Sequence, residues 1–493
     1  MVRPRLTKFA FYRYRYVFAY TVFGLTLAGM LLLAGFYLPG ALTSTEMHSA
    51  LVSNNVDASQ VFNLPPEQLI YLPYRLLQSV SLDIFGVSVI SVKLPSIILG
   101  FASAIGLLYL LNLWYKKNVA IIAAIIAVTT SQFLLSSQAG QAGVSYIFLT
   151  VMVLIAASMI ARQSTYAKIW ALIGFGLAAI SLYMPLNIYM LLALILTAIV
   201  HPHARYLVFQ KSSKPIIGIG LIISLIIALP LILGIIHDPS ILRTLFGIPD
   251  SFNDILNNAS MLLGNYGNFA NPTSSSIITP VYGLGLVGLI FVGLYRLFTA
   301  KYTARSYLIS FWLAALIPLV ILNPEFVSIT FVPVMLLAAL GVDYLISSWY
   351  KLFPKNPYAR VFGLVPLGVL MIGLVLSSVD RYAYGLHYDS AVYASYNYDL
   401  PLLQNKLRSL DDGTSVVLVT SKDTIDFYTI FAEHQKYIQS LTVVSKSSNL
   451  PPADITITER DFAPSIKKIP SEILVTRSST SANRFYLYKN DAS

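Results

Sequence analysis

The sequence predicts an α-helical polytopic membrane protein with about eleven transmembrane helices and a small α/β domain at its C-terminal end. Of the 493 residues, 56% are hydrophobic and only 11% are charged, whereas a soluble domain carries about 25% charged residues. A spanning helix needs about 20 apolar residues. The candidate spans are 17–37, 88–113, 118–136, 143–161, 168–184, 186–201, 215–236, 279–299, 304–322, 326–348 and 360–378. This composition excludes a soluble enzyme, a disordered chain and a fibrous protein.

The charged residues are divided unevenly between the loops that join these spans. Residues 1–378 hold 21 Lys and Arg against nine Asp and Glu, and residues 379–493 hold 12 against 13. The loops on one side of the spans, together with the N-terminus, contain 18 basic residues and no acidic residue. Because basic loops remain in the cytoplasm, we predict a plasma-membrane protein with a cytoplasmic N-terminus and an extracytoplasmic C-terminal domain. The basic excess is a membrane signal, so no nucleic-acid partner is predicted.

Two domains are predicted. Residues 1–380 form the transmembrane domain, with long outer loops at 38–87 and 237–278, and residues 381–493 form the extracytoplasmic α/β domain. Residues 400–410 and 423–433 are predicted to be helices. Short β-rich runs are typical of strands, and five occur here: Val416–Val419, Leu441–Val444, Ile455–Ile457, Ile473–Val475 and Phe485–Tyr488. The chain has no Cys, so this domain cannot rely on disulfides.

Glu46 is the first candidate catalytic residue. It follows the first span in the run Thr43-Ser44-Thr45-Glu46-Met47-His48, at the mouth of the helical bundle. A carboxylate there could act as a general base that takes a proton from an acceptor hydroxyl. The alternative is a loop carboxylate that caps a short helix beginning at Thr43 or Ser44.

Cationic side chains on the same side are candidates for binding a phosphate group. Lys93 lies a few residues inside an apolar span, where a lysine is costly unless it reaches the interface or finds an anion. We predict that Lys93 contacts a donor phosphate, such as a polyprenyl-phosphate head, with snorkelling to lipid as the alternative. Arg75, Arg243 and His48 are further candidates for the donor site.

A divalent metal ion is the one cofactor that the sequence leaves open. His237 and Asp238 begin the second outer loop and are its candidate ligands. Adjacent residues chelate a single ion poorly, and thiolate ligands are excluded because the chain has no Cys.

The chain resembles the GT-C superfamily of membrane glycosyltransferases, and more narrowly the protein mannosyltransferase and aminoarabinose transferase group, glycosyltransferase family 39. The resemblance covers most of residues 15–378. It rests on the acid after the first span, Glu46, with Lys93 at the position of a family Arg. Three further motifs carry it: Phe85-Gly86-Val87-Ser88 before Lys93-Leu94-Pro95-Ser96, Leu182-Tyr183-Met184-Pro185, and Thr330-Phe331-Val332-Pro333 before Leu336-Leu337-Ala338-Ala339-Leu340-Gly341.

The resemblance implies transfer of a sugar from a polyprenyl-phosphate donor to a glycan, lipid or protein acceptor outside the cytoplasm, among membrane lipids. The sequence departs from the family in three places. Residues 138–146 lack the Asp that many members have near the fourth span, and Glu325 lies near the place of a missing Arg. The first-loop acid is often doubled in the family, whereas Glu46 stands beside Thr45. Two other functions therefore stay open: a catalytically inactive binding or scaffold protein, and a transporter of lipid-linked precursors.

The predicted orientation can be tested with single cysteines, because the native chain has none. We expect an impermeant thiol reagent to label Ser421→Cys in intact cells and to leave Ser212→Cys unlabelled. Permeabilised cells, in which both variants should react, provide the control. Labelling at position 212 alone would reverse the orientation.

Overall fold

The computed structural model describes residues 10–36, 41–163, 165–208, 214–249, 255–268, 280–299, 303–324, 326–352, 357–388, 395–445, 450–466, 468–475 and 483–490. Within these ranges the chain is mainly helical, with a five-stranded sheet near its C-terminal end. The predicted fold class is confirmed.

Helices coincide with all eleven predicted spans. The long ones are α1 (Ala10–Phe36), α5 (Val89–Trp114), α8 (Gly143–Ala161), α12 (Lys214–His237), α16 (Ala304–Leu322), α17 (Phe331–Leu352) and α18 (Pro357–Tyr388), and the shorter ones are α6 (Lys117–Thr129), α7 (Ser131–Gln138), α9 (Ala167–Ser181), α10 (Ile188–Val200) and α15 (Leu284–Thr299). In the described residues, six helices are long and apolar enough to cross a membrane, and α9, α10 and α15 are apolar helices of 10–17 residues.

The third predicted span is broken rather than continuous. Helices α6 and α7 pass the length and composition test together, but they are bent by 62°. Thr130 has an extended backbone between them, and its hydroxyl accepts the Phe133 N–H at the start of α7. A Thr cap of this kind starts a new helix, so residues 118–136 do not form one straight span.

Short helices fill the loops between the spans. The loop between α1 and α5 contains α2 (Ser44–Asn54), α3 (Pro66–Leu69) and α4 (Leu72–Phe85), preceded by the two-residue strand β1 (Leu42–Thr43). Elsewhere lie α11 (Pro202–Tyr206), α13 (Ser240–Phe246) and α14 (Ile255–Gly267). Helices α2 and α4 therefore form a platform at one end of the bundle.

The C-terminal part is an α/β unit, as the sequence predicts. Strand β2 (Tyr396–Asn397) precedes α19 (Asp399–Arg408), β3 (Ser415–Val419), α20 (Ile425–His434), β4 (Ser440–Val444), β5 (Ile455–Glu459), β6 (Glu472–Val475) and β7 (Asn483–Lys489). The sheet order is β4-β3-β5-β7-β6; β3 is parallel to β4 and β5, and β7 is antiparallel to β5 and β6.

This sheet shares its apolar core with the loop platform. One buried cluster joins Leu82 and Val92 to Leu403, Phe431 and other residues of α19, α20 and the sheet. Gln404 of α19 donates from Nε2 to the Val87 carbonyl at 2.8 Å. In addition, β2 pairs antiparallel with β1. The C-terminal unit is thus docked directly over α2, α4 and the start of α5.

Helices α15 and α17 approach closely because each has a glycine at the crossing. A Cβ on Gly293 would overlap the Leu337 carbonyl oxygen, and one on Gly341 would overlap the Leu289 carbonyl oxygen. Small residues allow backbones to come this near, which is a usual feature of helix packing in membranes.

We expect Gly293→Ala to destabilise the fold by about 1–3 kcal/mol, because the added methyl group forces the two helices apart. Gly288→Ala is the matched control in the same helix, since a Cβ there meets no atom within 4 Å. Unfolding in a denaturing detergent would measure both variants. Equal stability of the two would contradict the close crossing.

Candidate active site

Glu46 is buried in the first turn of α2, where it closes a capping box. The Glu46 N–H donates to the Thr43 hydroxyl at 3.2 Å, and the Thr43 N–H donates to Glu46 Oε2 at 2.8 Å. These bonds satisfy backbone donors that a helix start leaves without partners. The helix-cap role weighed from the sequence is therefore present in the structure.

The other carboxylate oxygen of Glu46 lies against Lys93. Glu46 Oε1 is 3.5 Å from Lys93 Nζ and accepts the Gly140 N–H at 2.6 Å. Glu46 and Lys93 are each only 1% exposed. The structure thus joins the two strongest candidates from the sequence in one buried ion pair. Among the described residues, the recorded polar partner of the Lys93 ammonium is Glu46, with the Tyr396 ring beside it.

A third segment of the chain, around Gly140, also contacts this ion pair. A Cβ on Gly140 would lie 2.7 Å from Val92 Cγ1 and 3.5 Å from Glu46 Cγ, so only glycine allows the approach that its N–H bond requires. Gln141 Nε2 also donates to the Thr45 hydroxyl at 2.6 Å. Residues 138–146 carry no charge in the sequence; the structure shows that this segment supplies a backbone donor to Glu46.

Gln78, which the sequence analysis missed, connects the elements around the pair. It is fully buried on α4. Its Nε2 donates to the carbonyls of Val92 at 2.9 Å and Gly140 at 3.1 Å, while its Oε1 accepts from Ser49 at 2.9 Å and Ser53 at 2.7 Å. One buried amide thereby fixes α2, α5 and the segment around Gly140 against α4. A lone Gln in an amphipathic run gives no sequence signal of this role.

Two tyrosines of the chain's C-terminal part also reach the site. Lys93 Nζ lies 5.3 Å from the centre of the Tyr396 ring, a cation–π arrangement. Tyr382 of α18 donates its hydroxyl to Gln138 Oε1, two residues before Gly140. Burial and the nearby Glu46 charge raise the pKa of Tyr396, so its phenol stays neutral. The Tyr-rich composition of residues 382–398 is the only sequence signal for them.

The remaining candidates lie in different surroundings. Arg75 is half-buried on α4 and donates from Nε to the Ile70 carbonyl at 2.7 Å; burial lowers its pKa to about 10, which leaves it charged at neutral pH. His48 is exposed one half-turn beyond Glu46 on α2, and Arg243 is exposed on α13. The donor-site roles of these three side chains stay predictions.

The two metal candidates each have a local structural contact. His237 Nδ1 is hydrogen-bonded to the Leu233 carbonyl at 2.8 Å, and Asp238 Oδ1 accepts the Ser240 N–H at 2.9 Å. The Ser240 bonds lower the pKa of Asp238. Within the part of the chain that the structure describes, no group of three or more His, Asp or Glu side chains is arranged to hold a metal ion.

Comparisons with known proteins find a family model over part of the chain and a similar fold over most of it. Residues 73–233 match the family model of dolichyl-phosphate-mannose-protein mannosyltransferase. A search of curated proteins by sequence finds no match. By fold, the chain is similar to ArnT from Cupriavidus metallidurans in the apo state, with a TM-score of 0.51 and 13% identity, covering 95% of this chain and 98% of ArnT.

A second similar structure is the oligosaccharyltransferase of Archaeoglobus fulgidus tethered to an acceptor peptide. Its TM-score is 0.50 at 11% identity, over 86% of this chain and 64% of that one. The fold and the helices define the chain as a multi-pass membrane protein. The resemblance to the GT-C superfamily of membrane glycosyltransferases is confirmed, and the chain has the GT-C fold.

Removing either charge of the Glu46–Lys93 pair should destabilise the protein strongly, because the other charge is left buried without its partner. Lys93→Met and Glu46→Gln should each cost about 3–5 kcal/mol. The double variant should lose less than the sum of the two, which a double-mutant cycle measures directly.

The ion pair between Lys406 and Glu472 provides the matched control for this cycle. It lies on the C-terminal unit, where the Glu472 side chain is 47% exposed and Lys406 17% exposed, against 1–2% for Lys93 and Glu46. Lys406→Met should therefore cost less than about 1 kcal/mol. Additive losses at Glu46 and Lys93 would contradict a direct interaction between them.

Proposed function

We propose that the chain is an integral membrane glycosyltransferase that moves a sugar from a polyprenyl-phosphate donor to an acceptor hydroxyl on the outer face of the membrane. The observation that carries the proposal is the buried Glu46–Lys93 pair in a GT-C fold. The matched family is named for a dolichyl-phosphate donor, which supports a lipid phosphate here. Glycan, lipid and protein hydroxyls all remain as acceptors.

In this proposal Glu46 is the general base and Lys93 binds the donor phosphate. The acceptor hydroxyl gives its proton to Glu46 while its oxygen attacks the anomeric carbon, and the bond from that carbon to the phosphate oxygen breaks. The phosphate leaves with the bonding electrons, and Lys93 stabilises the negative charge that it gains. Direct displacement of this kind inverts the configuration at the anomeric carbon.

The ion pair links these two roles. While Lys93 lies 3.5 Å from Glu46 Oε1, the two side chains are paired with each other. When Lys93 turns toward a phosphate, Glu46 Oε1 loses this contact and can accept the acceptor hydroxyl instead. Donor binding would therefore free the carboxylate for the acceptor.

Arg75 is the most favourable of the additional donor contacts. It is charged and half-buried on α4, next to Tyr74, whose hydroxyl bonds Ser96 at 2.8 Å, one turn beyond Lys93. Arg243 and His48 are exposed and would meet the donor head or its sugar at the edge of the site. A divalent ion at His237 and Asp238 has no support from the described geometry.

The C-terminal unit would cover the site from outside and help to select the acceptor. Its apolar core is continuous with α2 and α4, so it stands directly over the pair. The 18 basic residues of the opposite loops favour an extracytoplasmic position for it.

A catalytically inactive GT-C-like binding protein is the second candidate. The observation that favours it is the saturation of Glu46: it is 1% exposed, and each of its oxygens accepts a backbone N–H. A carboxylate bound in this way stabilises α2 whether or not it takes part in chemistry. A transporter has less support, since it would need a polar path through the spans.

Glu46→Gln distinguishes the enzyme from the inactive relative. It keeps the shape of the side chain but cannot accept a proton, so sugar transfer should fall by about 10²–10⁴-fold. Glu46→Asp should retain an intermediate rate, because its carboxylate is withdrawn by one methylene. Transfer from a polyprenyl-phosphate sugar should be measured well below the melting temperature of each variant, with donor binding measured in parallel.

Glu67→Gln is the matched control, since Glu67 is an exposed acid of the same loop. It should transfer sugar at the wild-type rate. Equal rates in wild type and Glu46→Gln would show that the base is another residue. Absence of transfer by the wild type with every donor would favour the binding protein.

A further inference from the structure

The ring of Tyr396 lies over the one buried ammonium group of the candidate site. Lys93 Nζ is 5.3 Å from the centre of this ring. Lys93 is 1% exposed, whereas Tyr396 is only half-buried. Tyr396 is therefore the more exposed member of this contact, and the ammonium it covers is almost fully buried.

The backbone holds Tyr396 in register with the residue that caps the helix of Glu46. Strand β2 pairs antiparallel with β1, so that Tyr396 stands opposite Thr43 and Asn397 opposite Leu42. The ring also packs against the small apolar cluster of Leu134, Tyr382 and Leu386. The β1–β2 ladder is only two residues long, which makes it the weakest of the strand pairings around the site.

The C-terminal unit fixes the other end of this strand. Asp399, at the start of α19, binds the guanidinium of Arg484 through both carboxylate oxygens at 2.5 Å. Arg484 belongs to β7 of the main sheet. Tyr396 thus lies on a short connection between the sheet and the Glu46 helix, and the seating of the C-terminal unit determines where the ring lies.

We infer that Tyr396 controls the access of a phosphate group to Lys93. The ring lies against the Lys93 ammonium, and an incoming phosphate displaces the ring from it. This inference rests on the proposed function only for the identity of the anion. The exchange is favourable because a phosphate oxygen forms a charge-assisted hydrogen bond with an ammonium, which is stronger than contact with an aromatic face. For this exchange, the two-residue pairing between β1 and β2 must open.

The test measures the exposure of Lys93 itself rather than sugar transfer. The full-length protein in lipid nanodiscs is treated with an amine-acylating reagent, and the acylation of Lys93 is followed over time by mass spectrometry. Tyr396→Ala should speed this reaction by about 3- to 30-fold, corresponding to the loss of one cation–π contact. Tyr396→Phe should react at the wild-type rate, because the ring remains.

Two further variants distinguish shielding of Lys93 by the Tyr396 ring from a general loosening of the fold. Tyr396→Leu keeps apolar volume without the aromatic face, so it should also speed acylation while its melting temperature remains near that of the wild type. Tyr437→Ala removes a ring that lies 4.9 Å from Arg408 on the C-terminal unit. It should leave the acylation of Lys93 unchanged.

Phosphate protection then tests the ligand. Undecaprenyl phosphate in the nanodisc should slow the acylation of Lys93 in Tyr396→Ala, and inorganic phosphate at the same concentration should not, if the lipid head is the ligand. Equal acylation of Lys93 in wild type, Tyr396→Ala and Tyr396→Leu would overturn the inference. Faster acylation without protection by either phosphate would show that the ring shields Lys93 but that no phosphate displaces it, which would overturn the exchange and count against the proposed lipid-phosphate function.

Discussion

The buried ion pair between Glu46 and Lys93 is the constraint on which the rest of the site depends. A charged group without a partner is costly in an apolar span, and Lys93 is 1% exposed within α5. Its charge is tolerated because Glu46 is held 3.5 Å away by two backbone N–H groups. The position of the carboxylate is therefore set before any ligand arrives.

Three neighbouring features follow from keeping this pair buried. Position 140 favours glycine, because a Cβ would lie only 2.7 Å from Val92 Cγ1 and 3.2 Å from the Val92 carbonyl oxygen. Gln78 must be a side chain with both donors and acceptors, since it bonds two carbonyls and two hydroxyls at once. The C-terminal unit must dock on α2 and α4, because its apolar core completes theirs. A buried polar cluster with only some of its hydrogen bonds formed would destabilise the fold more than an apolar cluster at the same place.

Elements with strong local patterns could be predicted from the sequence, and contacts between distant elements could not. The five strands of the C-terminal sheet lie where the β-rich runs predict them, and every predicted span falls on a helix. The bend between α6 and α7 was missed because Thr129 and Thr130 are apolar enough to continue a span, although Thr130 caps a new helix. Hydropathy averages over a window and does not detect such a cap.

The same distinction holds for the candidate site: single residues could be predicted from the sequence, and their contacts could not. Glu46 and Lys93 were selected one by one, each from its place beside or inside a span. Their pairing depends on how α2 packs on α4 and α5, which no spacing encodes. Gly140 lies 94 residues from Glu46 and contributes only its backbone N–H. Every residue type except proline has this group, so the sequence does not mark the position. Tyr396 reaches the site only through the β1–β2 register.

Charge balance limits how this site could hold a donor. The Glu46 carboxylate and the Lys93 ammonium neutralise each other. A phosphodiester brings one further negative charge, which a single Lys cannot balance while Glu46 remains ionised as a base must. Arg75 is the candidate that we propose for the second cation: it is half-buried on α4, and its pKa of about 10 keeps it charged at neutral pH. The proposed transfer therefore needs two cations for two anions: Lys93 would pass from the carboxylate to the phosphate, and Arg75 would be the second cation.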